Sequence, residues 1–159
     1  MKKHTIIDLF AGCGGLSLGL EDAGFESVYV NELNDDALES YLVNRDNNNP
    51  YLRERFNSND VKSMISNKKY ISSLISDLKK TYNLDVNSGD LTLLAGGPPC
   101  QGYSGIGHRR TYSVDKEQIP SNFLYQDMAY LINKLNPKIF LFENVRGLSS
   151  ARWNTNGNK

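Results

Sequence analysis

Cys100 is the residue with the clearest capacity for chemistry. It lies in the turn Gly96-Gly97-Pro98-Pro99-Cys100-Gln101-Gly102-Tyr103-Ser104, directly after an apolar run over residues 91–95. Two prolines fix the backbone before the thiol, and the flanking glycines let other groups approach it closely. A cysteine that serves only packing usually lies inside a periodic core segment. The turn therefore predicts a cysteine nucleophile presented at the end of a strand.

A glycine-rich loop, Asp8-Leu9-Phe10-Ala11-Gly12-Cys13-Gly14-Gly15, follows the first predicted strand and opens the first predicted helix. Glycines there let a ligand lie against bare backbone at a helix N-terminus. The spacing Gly-x-Gly-Gly does not meet the dinucleotide pattern Gly-x-Gly-x-x-Gly. Glu32 follows Gly12 by twenty residues and ends the second predicted strand, where Rossmann-like folds place an acid that accepts hydrogen bonds from ribose hydroxyls. Together these features predict a nucleoside-type cofactor.

Asp60 follows a weak third strand and has two interpretations. It either reaches the adenine amino group of such a cofactor or caps the next helix, as an Asn-Asp pair commonly does. The residues alone leave both open.

Apolar strand-like runs alternate with amphipathic helical stretches along the chain. This alternation predicts a Rossmann-like α/β fold, with one parallel sheet and helices on both faces. The predicted strands span residues 5–10, 27–31, 55–57, 91–95 and 138–142, and the predicted helices span 16–23, 35–44, 61–82 and 123–135. The 159 residues suit one domain, and the sequence contains no internal repeat.

The predicted topology brings the chemical residues together. Ligands of open parallel sheets bind at the carboxyl ends of the strands, where the strand order reverses. If the first and fourth strands are neighbours at that point, the glycine loop and Cys100 face the same crevice. Glu143 ends the fifth strand at the same edge. A cofactor, a thiol and a carboxylate then share one pocket.

Composition narrows the class of protein. Eighteen basic and eighteen acidic residues cancel, so no overall positive field indicates a nucleic-acid partner. Two cysteines are too few for a disulfide framework, which favours a reducing compartment. The sequence contains no apolar run of membrane-spanning length, and the N-terminus does not resemble a signal peptide. We therefore expect a soluble cytoplasmic protein.

The glycine loop, Asn31-Glu32, Pro99-Cys100-Gln101 and Glu143-Asn144-Val145 together resemble the DNA cytosine carbon-5 methyltransferases, in order and in intervals. The resemblance covers essentially the whole chain and points to the bacterial restriction-modification type. It implies an S-adenosylmethionine-dependent fold, duplex DNA as the substrate, and no metal. Because the target carbon is hidden inside a duplex, the cytosine must be flipped out of the stack.

The resemblance also implies roles for individual residues. Cys100 would add to carbon 6 of cytosine, and Glu143 would hold ring nitrogen 3. Glu32 would bind the cofactor ribose and Asp60 the adenine. The cofactor would be lined by Phe10, Gly12, Gly14 and Leu124, and the nucleic acid would be contacted by Gln101, Ser104, Arg109 and Arg110 within or beside the loop over residues 102–116.

Three departures from the family pattern stand out. Leu33 follows Glu32 where many relatives have tryptophan, and Pro120-Ser121-Asn122 replaces the common Pro-Arg-Asn. The family's Gln-x-Arg-x-Arg segment, target-recognition region and C-terminal motifs have no counterpart after Glu143-Asn144-Val145. We therefore expect residues 1–159 to be the N-terminal part of the catalytic domain, either truncated or one subunit of a split enzyme that needs a C-terminal partner.

Alternative functions remain open. A relative of this pattern that methylates cytosine in tRNA is the nearest alternative. A second is an inactive module or subunit that binds S-adenosylmethionine. The fold alone would also suit a nicotinamide-dependent oxidoreductase, but the glycine spacing and Cys100 disfavour it.

Overall fold

The computed structural model describes residues 3–99 and 123–146, which build one parallel sheet in the order β3-β2-β1-β4-β5. The strands are β1 (His4–Leu9), β2 (Phe25–Asn31), β3 (Asn57–Ser58), β4 (Leu93–Gly96) and β5 (Ile139–Phe142). The helices are α1 (Gly15–Asp22), α2 (Asp35–Val43), α3 (Tyr51–Glu54), α4 (Val61–Ser66), α5 (Lys68–Tyr82) and α6 (Leu124–Leu135). The predicted Rossmann-like class is confirmed.

The strand order reverses between β1 and β4, as the sequence predicts. From β1 the chain moves outward through β2 to β3, and then returns to place β4 on the other side of β1. The register pairs Leu9 with Asn31 of β2 and with Gly96 of β4. The carboxyl ends of β1, β2 and β4 therefore lie side by side, with the end of β5 next to β4.

The helical prediction over residues 61–82 is wrong at one point. Asn67 ends α4 in an extended conformation and caps α5, because its side chain accepts a hydrogen bond from the backbone N–H of Lys69 at 3.1 Å. Asparagine competes in this way for backbone groups and favours helix caps over helix interiors. Helix α3 and a 3-10 turn at Val86–Ser88 are not predicted from the sequence at all.

The main core lies between the sheet and its helices. The apolar stripe of the predicted long helix packs there, with Met64, Ile71, Leu74 and Leu78 buried and Ile65 and Ile75 partly buried. A smaller cluster of Ile6, Leu93 and Ala95 packs against Leu20 of α1. Across residues 3–99 and 123–146, no helix is long and apolar enough to cross a membrane.

Candidate active site

A cavity of about 280 Å3 opens at the carboxyl ends of β1, β4 and β5. It is lined by Asp8, Phe10, Ala11, Leu16, Gly97 and Glu143. The glycine loop and Glu143 thus meet in one pocket, as the predicted topology requires. Gly97 brings the start of the Cys100 turn to the same wall.

The glycine loop turns sharply through left-handed backbone conformations. Phe10, Gly12 and Gly14 have φ angles of 57°, 55° and 89°. A Cβ at Gly12 would meet nothing within 4 Å, so this backbone faces open space that a ligand can occupy. Gly14 differs, because a Cβ there would lie 2.6 Å from the Tyr41 ring. Gly12 therefore suits ligand approach, whereas Gly14 is buried and lets the loop pack closely on α2.

Glu32 holds the glycine loop in place. Its Oε2 accepts a hydrogen bond from the backbone N–H of Gly12, and its Oε1 accepts one from the backbone N–H of Asn34, each at 2.8 Å. Each carboxylate oxygen keeps a second acceptor direction, which leaves capacity for ribose hydroxyls. The sequence predicts that Glu32 binds a ligand, but it does not reveal that Glu32 also holds the glycine loop in place.

Asp60 caps α4, as one of its two interpretations predicts. Its Oδ1 accepts from the backbone N–H of Lys62 at 2.9 Å and its Oδ2 from the Ser63 hydroxyl at 3.1 Å. The side-chain amide of Asn31 donates to the carbonyls of Ser58 and Asn59 and fixes the approach to this cap. The cap does not test the predicted adenine contact, which stays a prediction.

Leu124 is the first residue of α6, half-buried against the main core. Leu33 is 71% exposed directly after Glu32. Leu33 thus offers apolar surface beside the predicted ribose position. The cofactor role of Leu124 stays a prediction.

Glu143 is packed against bare backbone. Its N–H donates to the carbonyl of Gly96 at 3.0 Å, which extends the pairing of β4 and β5 by one residue. A Cβ at Gly97 would lie 2.8 Å from Glu143 Oε2, so any larger residue there would make the carboxylate shift. Glycine at 97 therefore allows the carboxylate to take the position seen here.

Asn144 connects the two loops of the catalytic wall. Its Nδ2 donates to the carbonyl of Pro98 at 3.1 Å, while its Oδ1 accepts from the N–H of Val145 at 2.8 Å. Pro98 stands two residues before Cys100. Asn144 thus fixes the base of the cysteine turn relative to Glu143, a role that the sequence pattern does not reveal.

Several predicted site residues lie outside the described residues. These are Cys100, Gln101, Ser104, Arg109 and Arg110. Cys13, the other cysteine, is an exposed free thiol in the glycine loop.

Asp8 is a site residue to which the sequence pattern assigns no role. It is buried at the end of β1, and its Oδ2 accepts a hydrogen bond from the Ser17 hydroxyl. Burial raises the pKa of this carboxyl to about 6, although the Ser17 hydrogen bond and the positive charge of Arg45 act in the opposite direction. An aspartate between Ile7 and Leu9 of β1 was the available signal.

The arrangement fits a nucleoside cofactor. The cavity has apolar walls at Phe10 and Leu16 and carboxyl groups at Asp8 and Glu143, and the open backbone of Gly12 lies in the same loop as Phe10. Within the described residues, no group of three or more His, Cys, Asp or Glu side chains is placed to hold a metal ion.

Comparisons of the chain with a family model and with curated proteins identify the same family. The model of the C-5 cytosine-specific DNA methylase family matches residues 4–158. The Type II methyltransferase M.PspPI of a Psychrobacter species is 32% identical over 148 residues, which are 93% of this chain and 29% of that protein. The mouse DNA (cytosine-5)-methyltransferase 1 is 32% identical over 155 residues, 96% of this chain and 9% of that protein.

Two solved methyltransferase structures also resemble this chain. A prophage-encoded E. coli protein described as a DNA modification methyltransferase matches with a TM-score of 0.59 and 30% identity, over 91% of this chain and 33% of that one. The S. pombe Dnmt2 methyltransferase matches in fold, with a TM-score of 0.53 and 21% identity over 94% of this chain and 38% of that one. The chain spans less than a third of the length of the bacterial relative. Since the family model covers nearly every residue, the chain belongs to the C-5 cytosine-specific DNA methylase family.

Proposed function

We propose that this chain carries the cofactor site and catalytic residues of an enzyme that methylates carbon 5 of cytosine in DNA. The observation that carries the proposal is the cavity shared by the glycine loop and the Glu143 carboxylate. A family member needs both, because the methyl donor and the target base must meet there. The matching relatives include bacterial enzymes named Type II methyltransferases, which supports our proposal of a restriction-modification role for this chain.

The cofactor is S-adenosylmethionine, which supplies an electrophilic methyl group when it is bound. Glu32 accepts hydrogen bonds from its ribose, and Phe10, Gly12, Gly14 and Leu124 line it. Asp60, already a helix cap, contacts the adenine side. The open backbone at Gly12 and the spare acceptor capacity of Glu32 support this placement.

The chain's own residues activate the base. The Cys100 thiolate forms a bond to carbon 6 of cytosine, which makes carbon 5 nucleophilic. Glu143 provides the hydrogen bond and proton at ring nitrogen 3 that stabilise the electron density pushed into the ring. After carbon 5 has gained its methyl group, it loses its proton to a base from the solvent. The proton at ring nitrogen 3 returns to Glu143, and the bond between sulfur and carbon 6 breaks to restore the aromatic ring and the thiolate. Gly97 and Asn144 keep the two catalytic loops aligned for this sequence.

The nucleic acid is double-stranded DNA whose target cytosine is flipped into the cavity. Gln101, Ser104, Arg109 and Arg110 contact the flipped base and its phosphates. Glu143 is exposed, so a base entering the cavity can reach it. A DNA substrate and the low cysteine content support a cytoplasmic location.

A C-terminal portion completes the sheet beside β5. Within the described residues β5 pairs with β4 alone, and Ile139, Phe140 and Leu141 are 54%, 60% and 40% exposed. An apolar edge strand of this kind pairs readily with another strand. We propose that the partner strand comes from the region that the longer relatives carry beyond this segment, on the same or on a separate polypeptide.

Methyl transfer from labelled S-adenosylmethionine tests the proposal. The protein, joined to or supplied with its C-terminal portion, should label duplex DNA in preference to tRNA. Cys100→Ser should abolish transfer and also covalent trapping by DNA that contains 5-fluorocytosine, whereas Cys13→Ala should retain both. Preferential labelling of tRNA would favour the RNA alternative. Cofactor binding without any transfer would favour the non-catalytic module, and efficient turnover by Cys100→Ser would exclude the mechanism.

A further inference from the structure

Arg45 is a buried guanidinium directly behind the glycine loop. Its side chain is only 8% exposed. The Nε donates to Glu21 Oε1 at 2.8 Å, Nη1 donates to the carbonyl of Tyr41 at 3.1 Å, and Nη2 contacts the carbonyl of Gly14 at 3.4 Å. One side chain thus connects α1, α2 and the end of the cofactor loop.

Gly14 is enclosed between this guanidinium and the Tyr41 ring. The guanidinium carbon of Arg45 lies 3.7 Å from the centroid of the ring, a distance at which cation and π-system attract each other. A Cβ at Gly14 would lie 2.6 Å from Tyr41 Cδ2 and 2.9 Å from Arg45 Nη1. The stacked pair therefore sets the position of the Gly14 backbone, at which α1 begins.

The same pair reaches the cavity wall through hydroxyl groups. The Tyr41 hydroxyl lies 3.1 Å from the Oγ atoms of both Ser17 and Ser27. Ser17 in turn donates to Asp8, which lines the cavity, and Ser27 donates to Glu21. Both the loop backbone and the Asp8 carboxylate are held from one buried polar cluster.

Stability alone does not explain this cluster. A buried ion pair such as Arg45–Glu21 loses hydration, and well-packed apolar residues often replace such pairs at no cost in stability. Arginine is also specific here, because its planar fork can stack on Tyr41 while donating in three directions. Lysine carries the same charge but has no planar group to stack.

We propose that Arg45, stacked on Tyr41, is a positioning residue for the cofactor loop. It holds Gly14 and the start of α1 where S-adenosylmethionine binds, and so determines cofactor affinity rather than the rate of the chemical step. The inference rests on the proposed function of this pocket.

Calorimetric titration of Arg45→Lys with S-adenosylmethionine tests this role. The variant should bind the cofactor about 10- to 100-fold more weakly, with kcat at saturating cofactor within about threefold of the wild type. Arg53→Lys is the matched control. Arg53 is close to Arg45 in the sequence, but it pairs with Glu39 and Asp46 away from the loop. The Arg53→Lys variant should therefore bind S-adenosylmethionine as tightly as the wild type does.

Glu21→Gln separates positioning from simple charge pairing. The amide oxygen can still accept the Arg45 Nε–H, so affinity should change less than threefold even though the ion pair is lost. A large loss of affinity in Glu21→Gln, or an unchanged affinity in folded Arg45→Lys, would overturn the inference.

If Arg45→Lys does not fold, Tyr41→Leu carries the test. It removes the ring on which Arg45 stacks beside Gly14 and should weaken cofactor binding about 10- to 100-fold, whereas Tyr41→Phe keeps the ring and the stack and should bind within about threefold of the wild type. Unchanged binding by folded Tyr41→Leu would again overturn the inference. Failure of the wild type itself to bind S-adenosylmethionine would instead contradict the proposed function, so the two failures are distinguishable.

Discussion

β2 and β5 are both apolar strands of the same sheet, but their surroundings differ. In β2, Val28, Tyr29 and Val30 are fully buried, because β1 and β3 flank the strand and helices cover it. In β5, Ile139 and Phe140 are more than half exposed, and β4 is its only partner within the described residues. The glycine loop and Glu32 belong to the first environment, and Glu143 belongs to the second.

This difference separates two functions. The cofactor half, built on β1 and β2, is held by contacts among its own residues, including the Glu32 hydrogen bonds and the buried cluster around Arg45. The catalytic half places Glu143 at the end of a partly covered strand. We therefore expect cofactor affinity to depend on the first half and turnover to depend on whatever completes the second.

Replacement of Glu143 should have the largest effect. Glu143→Gln keeps the side-chain size against Gly97 but removes the acid, so the methylation rate should fall by about two to four decades, the usual scale for a positioned acid or base. Cofactor affinity measured by calorimetry should stay within about threefold, since Glu143 belongs to the catalytic half.

Gly97→Ala provides a structural companion to this test. A Cβ at 97 would displace the carboxylate without altering its chemistry. Turnover should fall while cofactor binding is preserved. A wild-type rate in Glu143→Gln would remove this residue from the mechanism, and a joint loss of binding and turnover would break the division between the halves.

Replacement of Glu32 should have the opposite signature. Each charge-assisted hydrogen bond contributes roughly 1.5–3 kcal/mol, so Glu32→Ala should weaken S-adenosylmethionine binding by about one to three decades. Isothermal calorimetry measures this loss, and turnover at saturating cofactor should recover most of its wild-type value.

Glu32→Gln refines the interpretation of that loss. Its one amide oxygen can replace only one of the two acceptors that hold Gly12 and Asn34. An intermediate affinity is therefore expected. If Glu32→Ala binds the cofactor as tightly as the wild type, the glycine loop has been misinterpreted.

The features predicted from sequence are those that depend on neighbouring residues and on chain order. Strand alternation and the position of the glycine loop place Glu32 and Glu143 at one edge of the sheet, because parallel strands end at the same side. The helix break at Asn67 was not predicted, although the preference of asparagine for helix caps is a signal that could have indicated it.

The features that sequence analysis missed are contacts between distant segments. Gly97 gives room to the Glu143 carboxylate, Gly14 must be glycine because of Tyr41 and Arg45, and Asn144 acts on Pro98. No local pattern encodes these pairings, since each depends on how two strands or helices pack. The residues of the cysteine turn from 100 onward lie outside the described part, so their predicted roles remain predictions.

Burial of the Asp8 carboxylate in the cofactor half should lower the free energy of unfolding at neutral pH. Its pKa is about 6 in the folded protein against 3.8 for an unperturbed aspartate, mainly because burial disfavours the charge. The folded state therefore keeps its proton to higher pH than the unfolded state, and the free energy of unfolding falls as the pH rises from about 4 to about 6. Asp8→Asn should then be more stable than the wild type at pH 7.5, by up to about 3 kcal/mol, and nearly equal to it at pH 4.

Urea unfolding at the two pH values measures this difference. Asp85 is a suitable control, because its hydrogen bond to Lys79 lowers the pKa of its carboxyl. Stability from this group is present above its unfolded pKa and is lost as the pH falls, so Asp85→Asn should give no gain at pH 7.5. A destabilised Asp8→Asn at pH 7.5 would show that Ser17 and Arg45 outweigh burial.

The smallest effect is expected at the β5 edge. Ile139, Phe140 and Leu141 are 40–60% exposed, so residues 1–159 alone should self-associate through this strand and bind duplex DNA weakly without sequence preference. Fully burying one such side chain contributes roughly 1.5–3 kcal/mol, and about half of that remains to be gained here. Phe140→Thr should therefore weaken self-association by only about five- to tenfold in analytical ultracentrifugation. Leu18→Thr is a matched control on α1, where a 57% exposed leucine lies away from the sheet edge.

A C-terminal portion added in trans should suppress self-association and restore DNA binding, because it would occupy the same edge. A stable monomer that methylates DNA unaided would show that the catalytic half is as complete as the cofactor half.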